Sequence, residues 1–174
     1  MNDTASRAKH TVGDLVYDAI FIGGIGGGLV MIFFLVYDII ARGQALFTPS
    51  LMGSVLFDGV PAASVGPVSM VAVAKYSAFH LLAFSALGLG IAYLTHQAEI
   101  RSKHPLIVIA LVFVVLEVVF WLGATVAIPG VLERLGVIEV GAANLLAAVG
   151  VGLFLVSTHR GHLWGLAKPT TPRD

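Results

Sequence analysis

The sequence predicts an all-α integral membrane protein, a four-helix bundle with a short interfacial helix on the outer side between spans one and two. Hydrophobic residues make up 57% of the chain and charged residues only 11%, and the mean hydropathy is +0.94. Soluble domains carry about a quarter charged residues, so this chain has too few to cover a water-facing surface. Four runs reach the length of about 20 residues that a spanning helix needs. They cover residues 19–37, 70–94, 106–128 and 140–158.

The first span contains five glycines, namely Gly23, Gly24, Gly26, Gly27 and Gly28. A dinucleotide-binding G-x-G-x-x-G turn from Gly24 would need glycine at position 29, where the chain has leucine, and no strand precedes the run. The glycines instead form two overlapping G-x-x-x-G pairs, 23/27 and 24/28, which are typical of close helix packing. We predict that this face packs against a neighbouring span or a partner. A groove for a lipid or cofactor and a flexible hinge are the alternatives.

Residues 42–69 form the longest connection, and they contain the predicted interfacial helix. Thr48 followed by Pro49 is typical of a helix start, with a hydroxyl N-cap and proline at the first helical position. Asp58–Gly59 predicts the end of this helix. Its apolar side, which includes Leu51 and Val55, predicts that it lies on the outer membrane interface.

The distribution of lysine and arginine predicts the orientation of the four spans, because basic loops stay in the cytoplasm. Three basic residues belong to the opposite side, namely Arg42, Lys75 and Arg134. The other seven predict one cytoplasmic side, and they are Arg7, Lys9, Arg101, Lys103, Arg160, Lys168 and Arg173. We therefore predict a multi-pass protein of the inner membrane with both termini in the cytoplasm. Residues 166–174 are predicted to be a disordered tail.

The two titratable residues that lie deepest inside the spans are His80 in span two and Glu117 at the centre of span three. Polar groups inside a bilayer are unfavourable unless paired, so each is a candidate for function. At 1.5 Å per residue, the two differ in depth by ~4–5 Å if spans two and three form an antiparallel hairpin. We therefore predict a His80–Glu117 hydrogen bond, with Tyr76 and Ser77 on the same face as His80 extending the network.

Three interpretations of the His80–Glu117 pair remain open at this point. The first is a buried pair that fixes helix register. The second is a proton-handling or ligand-binding site, and the third is a metal or haem site. Two ligands are too few for the last, and a bis-histidine haem would need a second mid-membrane histidine. His159 and His162 have a spacing compatible with one metal ion, but we interpret them as amphipathic residues of the membrane interface. No cofactor and no metal are predicted.

A second predicted pair joins span one to span two. Asp38, at the outer end of span one, and Lys75, in the outer part of span two, lie at similar depths. We predict a structural ion pair between them that ties the two spans together. The alternative is that Lys75 extends its ammonium group to the membrane surface.

Composition excludes several classes of function. Ten basic and ten acidic residues cancel, so no basic face for nucleic acid is expected. The absence of cysteine excludes thiolate chemistry. No HExxH, G-x-S-x-G, P-loop or paired-carboxylate motif occurs, so nothing in the sequence argues for an enzyme. The sequence predicts a non-catalytic accessory or assembly component or a homo-oligomer, in contact with lipid and with possible partner membrane subunits. The alternative is a small transporter or proton-coupled binding protein that uses Glu117 and His80.

Three segments carry a resemblance to a known group of proteins: "TPSLMGSVLF", "YSAFHLLAFSALGLG" and "AANLLAAVGVGLFLVSTH". They resemble small uncharacterised four-span bacterial membrane proteins. The resemblance covers most of spans two and four and the outer loop, and it implies the four-span architecture and no activity. The four-span disulfide-forming and vitamin K-reducing enzymes are excluded because the chain lacks cysteine.

Overall fold

A computed structural model describes residues 12–97 and 105–164. In this part of the chain all regular structure is helical, with six α-helices and one short 3-10 turn at Ala62–Ser64. The helices are α1 (Val12–Arg42), α2 (Phe47–Asp58), α3 (Met70–Gln97), α4 (Pro105–Ala127), α5 (Val131–Leu135) and α6 (Val137–Trp164). The predicted disordered tail lies outside the described residues.

Four of these helices are long and apolar enough to cross a membrane, which is the architecture of a multi-pass membrane protein. Each predicted span lies within one of them apart from its end residues. The apolar stretches are Leu15–Arg42, Met70–Leu94, Leu106–Ala127 and Val137–Ser157. The all-helical class and the four helices of spanning length, predicted from composition and run length, are therefore confirmed.

The four long helices pack in the order α3, α1, α6, α4. Helix α1 packs against α3 on one side and α6 on the other, and α4 packs against α6. Along their described residues, α3 and α4 contact each other far less than α3 contacts α1 or α4 contacts α6. The expectation that spans two and three form a packed antiparallel hairpin is therefore wrong, because each of these helices packs closely with a different partner.

Glycines allow the close packing of α1 against α3. A Cβ atom at Gly23 would lie 2.5 Å from the backbone oxygen of Phe84, and one at Gly88 would overlap the backbone of α1. Gly27 faces the Phe84 ring, whereas Gly24 and Gly28 have no atom within 4 Å of such a Cβ. The 23/27 pair therefore packs inside this chain, and the 24/28 pair is open.

Two glycines on α6 allow α1 and α4 to pack closely against it. A Cβ at Gly152 would overlap Ile109 of α4, and one at Gly150 would overlap Leu29 of α1. Small residues let helices approach closely, and close approach drives helix association in lipid. The glycine positions thus decide which helices become neighbours.

Helices α2 and α5 and the 3-10 turn lie together at one end of the bundle, which we call the cap end. Helix α2 ends at Asp58, where Gly59 adopts a φ of 64° and caps it, as predicted. It begins at Phe47, one residue before Thr48. Most of its residues are buried, and at Gly53 its backbone meets the backbone of α3 at Ala72. It is therefore packed into the fold.

Replacing Gly23 by alanine is expected to destabilise the protein, whereas the same change at Gly24 is not. A methyl group at Gly23 meets backbone that cannot move aside, and such overpacking costs about 1–3 kcal/mol. Gly24 is open, so Gly24→Ala gains helix propensity, up to about 1 kcal/mol. Unfolding by SDS titration in mixed micelles measures both variants. Equal effects of the two changes would contradict the assigned packing face.

Candidate functional site

Asp38, near the end of α1, caps the start of α2. Its side chain is fully buried, at 0% exposed. Oδ2 accepts the backbone N–H of Thr48 at 2.6 Å, and Oδ1 accepts the Thr48 hydroxyl at 2.8 Å. Leu46, the residue before α2, supplies no side-chain cap. The carboxylate accepts from a backbone N–H that has no partner within the helix. Its negative charge is also stabilised by the positive, N-terminal end of the α2 helix dipole. Thr48 is thus capped by Asp38 and is not itself the predicted N-cap.

Two arginines complete the cap end around the Phe47 ring. The guanidinium carbon of Arg42 lies 4.5 Å from the ring centroid, and that of Arg134 lies 5.5 Å from it. Arg42 Nη2 donates to the backbone oxygen of Arg134 at 2.9 Å, and its Nε lies 3.5 Å from Asp38 Oδ1. These contacts join α1, α2 and α5 through groups that are only partly exposed.

The predicted Asp38–Lys75 ion pair is not present. Lys75 instead pairs with Asp58, the last residue of α2. The reason is that Thr48 and Arg42 already take the carboxylate oxygens of Asp38. The Lys75 and Asp58 side chains are 42% and 35% exposed, so their pair contributes about 1 kcal/mol or less.

His80 of α3 binds the backbone of α1. The side chain is buried, and its Nε2 atom lies 3.1 Å from the carbonyl oxygen of Gly27. Because a carbonyl oxygen only accepts, Nε2 carries the hydrogen, and in the neutral imidazole Nδ1 is then an acceptor. The ring lies between Tyr76, at a centroid distance of 5.6 Å, and Phe84, at 4.5 Å. Gly23 and Gly27 allow this approach, because any side chain there would keep α3 away.

Glu117 of α4 binds α6 and its own helix. Oε1 accepts from Asn144 Nδ2 at 2.8 Å, and Oε2 accepts from Trp121 Nε1 at 2.9 Å. Both carboxylate oxygens therefore have a donor. The predicted His80–Glu117 hydrogen bond is not present, because His80 bonds to α1 and Glu117 bonds to α6 and to its own helix. Ser77 and Tyr76 make no hydrogen bond to Glu117, so the predicted extension of the network is not present either.

An open cleft of about 410 Å³ lies between α3 and α4. It exists because these two helices do not pack against each other, and α1, α2 and α6 also contribute to its walls. The apolar lining includes Phe34, Met52, Phe84, Leu116 and Phe120. Its polar lining residues are Thr48, Tyr76, Ser77, His80 and Asn144, and no charged residue lines it.

The sequence analysis did not predict three of the hydrogen bonds that the structure shows. Two of them are donated to Glu117, one by Asn144 and one by Trp121. The third is donated by Tyr37 of α1 to Glu139 of α6, at 3.1 Å. The i, i+4 spacing of Glu117 and Trp121 is a signal that could have identified that contact, because such residues share a helix face. The Asn144 and Tyr37 contacts depend on which helices are neighbours, and no spacing in the sequence indicates that.

Within residues 15–94 and 106–157, whose side chains the structure describes, no group of three or more His, Asp or Glu side chains could hold a metal ion. In the same ranges, no fully buried side-chain nitrogen or oxygen atom lacks a hydrogen-bond partner. The chain matches no protein-family model, and no curated protein or solved structure shows significant similarity to it.

Removal of the amide at Asn144 is expected to destabilise the protein by about 1–3 kcal/mol, because one carboxylate oxygen of Glu117 loses its donor. Adding Glu117→Leu to Asn144→Ala is expected to recover part of this loss, since the acceptor is removed with its donor, while Trp121 Nε1 loses its acceptor in both variants that carry Glu117→Leu. SDS titration of the two single variants and the double variant gives the coupling free energy. Thr125→Ala, which removes a hydroxyl bonded within α4, is the control. Additive effects would contradict the pairing.

Proposed function

We propose that this protein is a non-catalytic accessory or assembly component of the inner membrane, whose buried polar residues hold its helices together. The observation that carries the proposal is the distribution of those residues. His80 joins α3 to α1, and the Glu117–Asn144 pair joins α4 to α6. Asp38 joins α1 to α2. The titratable side chains Asp38, His80 and Glu117 thus each bond at a different helix contact and none is bonded to another, although His80 and Asn144 both line one cleft.

The alternative, a small transporter or proton-coupled binding protein that uses His80 and Glu117, receives less support. The two side chains lie on helices that are not neighbours, and each has its own partner. A proton-coupled site would have them face one another or a shared ligand.

An accessory component needs a surface for its partner, and α1 offers one. Gly24 and Gly28 have open space around them, and large apolar side chains on the same helix that lie outside the cleft are exposed, among them Tyr17, Ile20 and Ile39. A helix of a partner subunit, or α1 of a second copy, could approach this surface closely because of the two glycines.

Affinity purification of a tagged copy in mild detergent is expected to recover a stoichiometric partner subunit or a homo-oligomer. Glu117→Gln is expected to leave this complex intact, because the uncharged side chain still offers an oxygen to Asn144. The double variant Glu117→Leu/Asn144→Leu is also expected to retain the complex, since apolar replacement of a buried polar pair is often neutral. Transport activity that Glu117→Gln abolishes in a folded protein would favour the alternative.

The chain has no native cysteine, so any disulfide formed between two copies must involve a cysteine that was introduced. Single introduced cysteines can therefore identify the partner surface. Gly28→Cys is expected to form a disulfide-linked dimer in native membranes if α1 of a second copy is the partner. Val126→Cys, on the exposed side of α4, is the matched control. A monomeric Gly28→Cys protein that co-purifies with another subunit indicates a hetero-complex. A lone monomer in both experiments would contradict the accessory role.

The proposed orientation places both termini in the cytoplasm and the cap end outside. The cap end carries three basic residues, Arg42, Lys75 and Arg134, and the remaining seven of the chain belong to the predicted cytoplasmic side. A fluorescent protein fused to the C-terminus is expected to fluoresce, and alkaline phosphatase fused after Val60 is expected to be active. The reverse pattern would contradict this orientation.

A further inference from the structure

We infer that the cleft between α3 and α4 binds one uncharged lipid molecule whose hydroxyl-bearing end lies against Tyr76, Ser77 and His80. This goes beyond the proposed function and does not rest on it. Three observations support it: the size of the cleft, the absence of charge in its lining, and the polar atoms of α3 that have hydrogen-bonding capacity left.

The size of the cleft matches a single hydrocarbon chain. A helix with its side chains is about 10–12 Å wide and rises about 5.4 Å per turn, so one turn fills roughly 400–600 Å³. The cleft has about 410 Å³, which is room for no more than one such turn. At about 30 Å³ for each water-sized group, it holds a chain of roughly a dozen carbon atoms. A spanning helix of another protein is therefore too large to enter the cleft, although it could pack across the open side.

The lining selects an uncharged ligand. Most lining residues are apolar and none is charged, which is the composition of a site for an apolar small molecule. His80 lies ten residues from the start of the span Met70–Leu94, or about 15 Å along the helix axis. An ionised head group at that depth, with no opposite charge, would be strongly unfavourable. Fatty acid anions and phospholipid head groups are thereby excluded.

Three polar groups on α3 can bind a hydroxyl. Nε2 of His80 is taken by Gly27, so Nδ1 is left as an acceptor. Within the described residues, the structure gives no hydrogen-bond partner to the Tyr76 and Ser77 hydroxyls, although both line the cleft. No fully buried side-chain nitrogen or oxygen there lacks a partner, so these groups keep access to open space. A ligand hydroxyl can donate to Nδ1 and accept from one of the two hydroxyls.

Photolabelling of the full-length protein in lipid nanodiscs tests the inference. The probe is a fatty alcohol of about twelve carbons that carries a diazirine, and the labelled peptides are mapped by mass spectrometry. Dodecanol, dodecane and dodecanoate compete at equal concentration. We expect saturable labelling of peptides from α3 and α4, with dodecanol competing about tenfold better than dodecane or dodecanoate.

Matched variants locate the site. Gly123 lines the cleft and has open space around it, so Gly123→Leu is expected to abolish saturable labelling. Gly90 also has open space but does not line the cleft, so Gly90→Leu is expected to leave labelling unchanged. Ser77→Ala is expected to weaken competition by dodecanol about three- to tenfold, as loss of one hydrogen bond does. Ser85→Ala, on the same helix outside the cleft, is expected to have no effect.

Each contrary result is also decisive. Labelling that Gly123→Leu and Gly90→Leu leave equally strong would overturn the site, and SDS titration confirms that both variants fold. Equal competition by dodecane and dodecanol, or no effect of Ser77→Ala, would overturn the role of the polar groups. A disulfide-linked dimer formed by Gly123→Cys in native membranes would assign the cleft to a second copy of the chain and overturn the lipid proposal.

Discussion

The close approach of α1 and α3 is the constraint on which the remaining structure depends. The two backbones touch where Gly23 and Gly88 lack side chains. In a bilayer the hydrophobic effect does not drive helices together, because the lipid chains are as apolar as the helix surfaces. Close packing contacts of this kind therefore decide which helices associate. With α3 held on one side of α1, helix α6 occupies the other side, and α4 packs against α6. The open cleft between α3 and α4 follows directly from this order.

The same constraint determines where each polar side chain finds its partner. His80 reaches the carbonyl oxygen of Gly27 because the glycines of α1 bring the two helices together. Glu117, on the far side of the bundle, is left to Asn144 and Trp121. An unsatisfied polar group in hydrocarbon costs several kcal/mol. Each side chain therefore takes the donor or acceptor that its neighbouring helix presents, and the helix order selects that partner.

At the cap end, a charged network acts together with the glycine contact of Gly53 with Ala72. The carboxylate of Asp38 is completely buried, yet it accepts two hydrogen bonds from Thr48 and lies beside Arg42. A buried charge is tolerated only when it is paired in this way. The result fixes α2 across the end of the bundle, where it contributes Thr48 and Met52 to the cleft. The cap end and the cleft are thus parts of one arrangement.

The sequence by itself determined the class of the protein and the positions of its helices. Composition and run length depend only on local hydrophobicity, so the four spans and the end of α2 at Asp58 could be predicted. The importance of His80 and Glu117 could also be suspected, since any polar residue in an apolar span is conspicuous.

Only the tertiary structure decided which residues meet. Sequence adjacency suggested that spans two and three pair, and the predicted His80–Glu117 contact depended on that pairing. It was wrong because helix pairing is set by shape complementarity between helix faces, and a G-x-x-x-G pattern does not state which helix it will face. The predicted Asp38–Lys75 contact joined helices that do pack, α1 and α3, and it was wrong because Thr48 and Arg42 take the carboxylate oxygens of Asp38. The 23/27 and 24/28 pairs look equivalent in the sequence, yet one is buried against Phe84 and the other is open. The cleft is likewise a property of the helix order and has no signature in the chain.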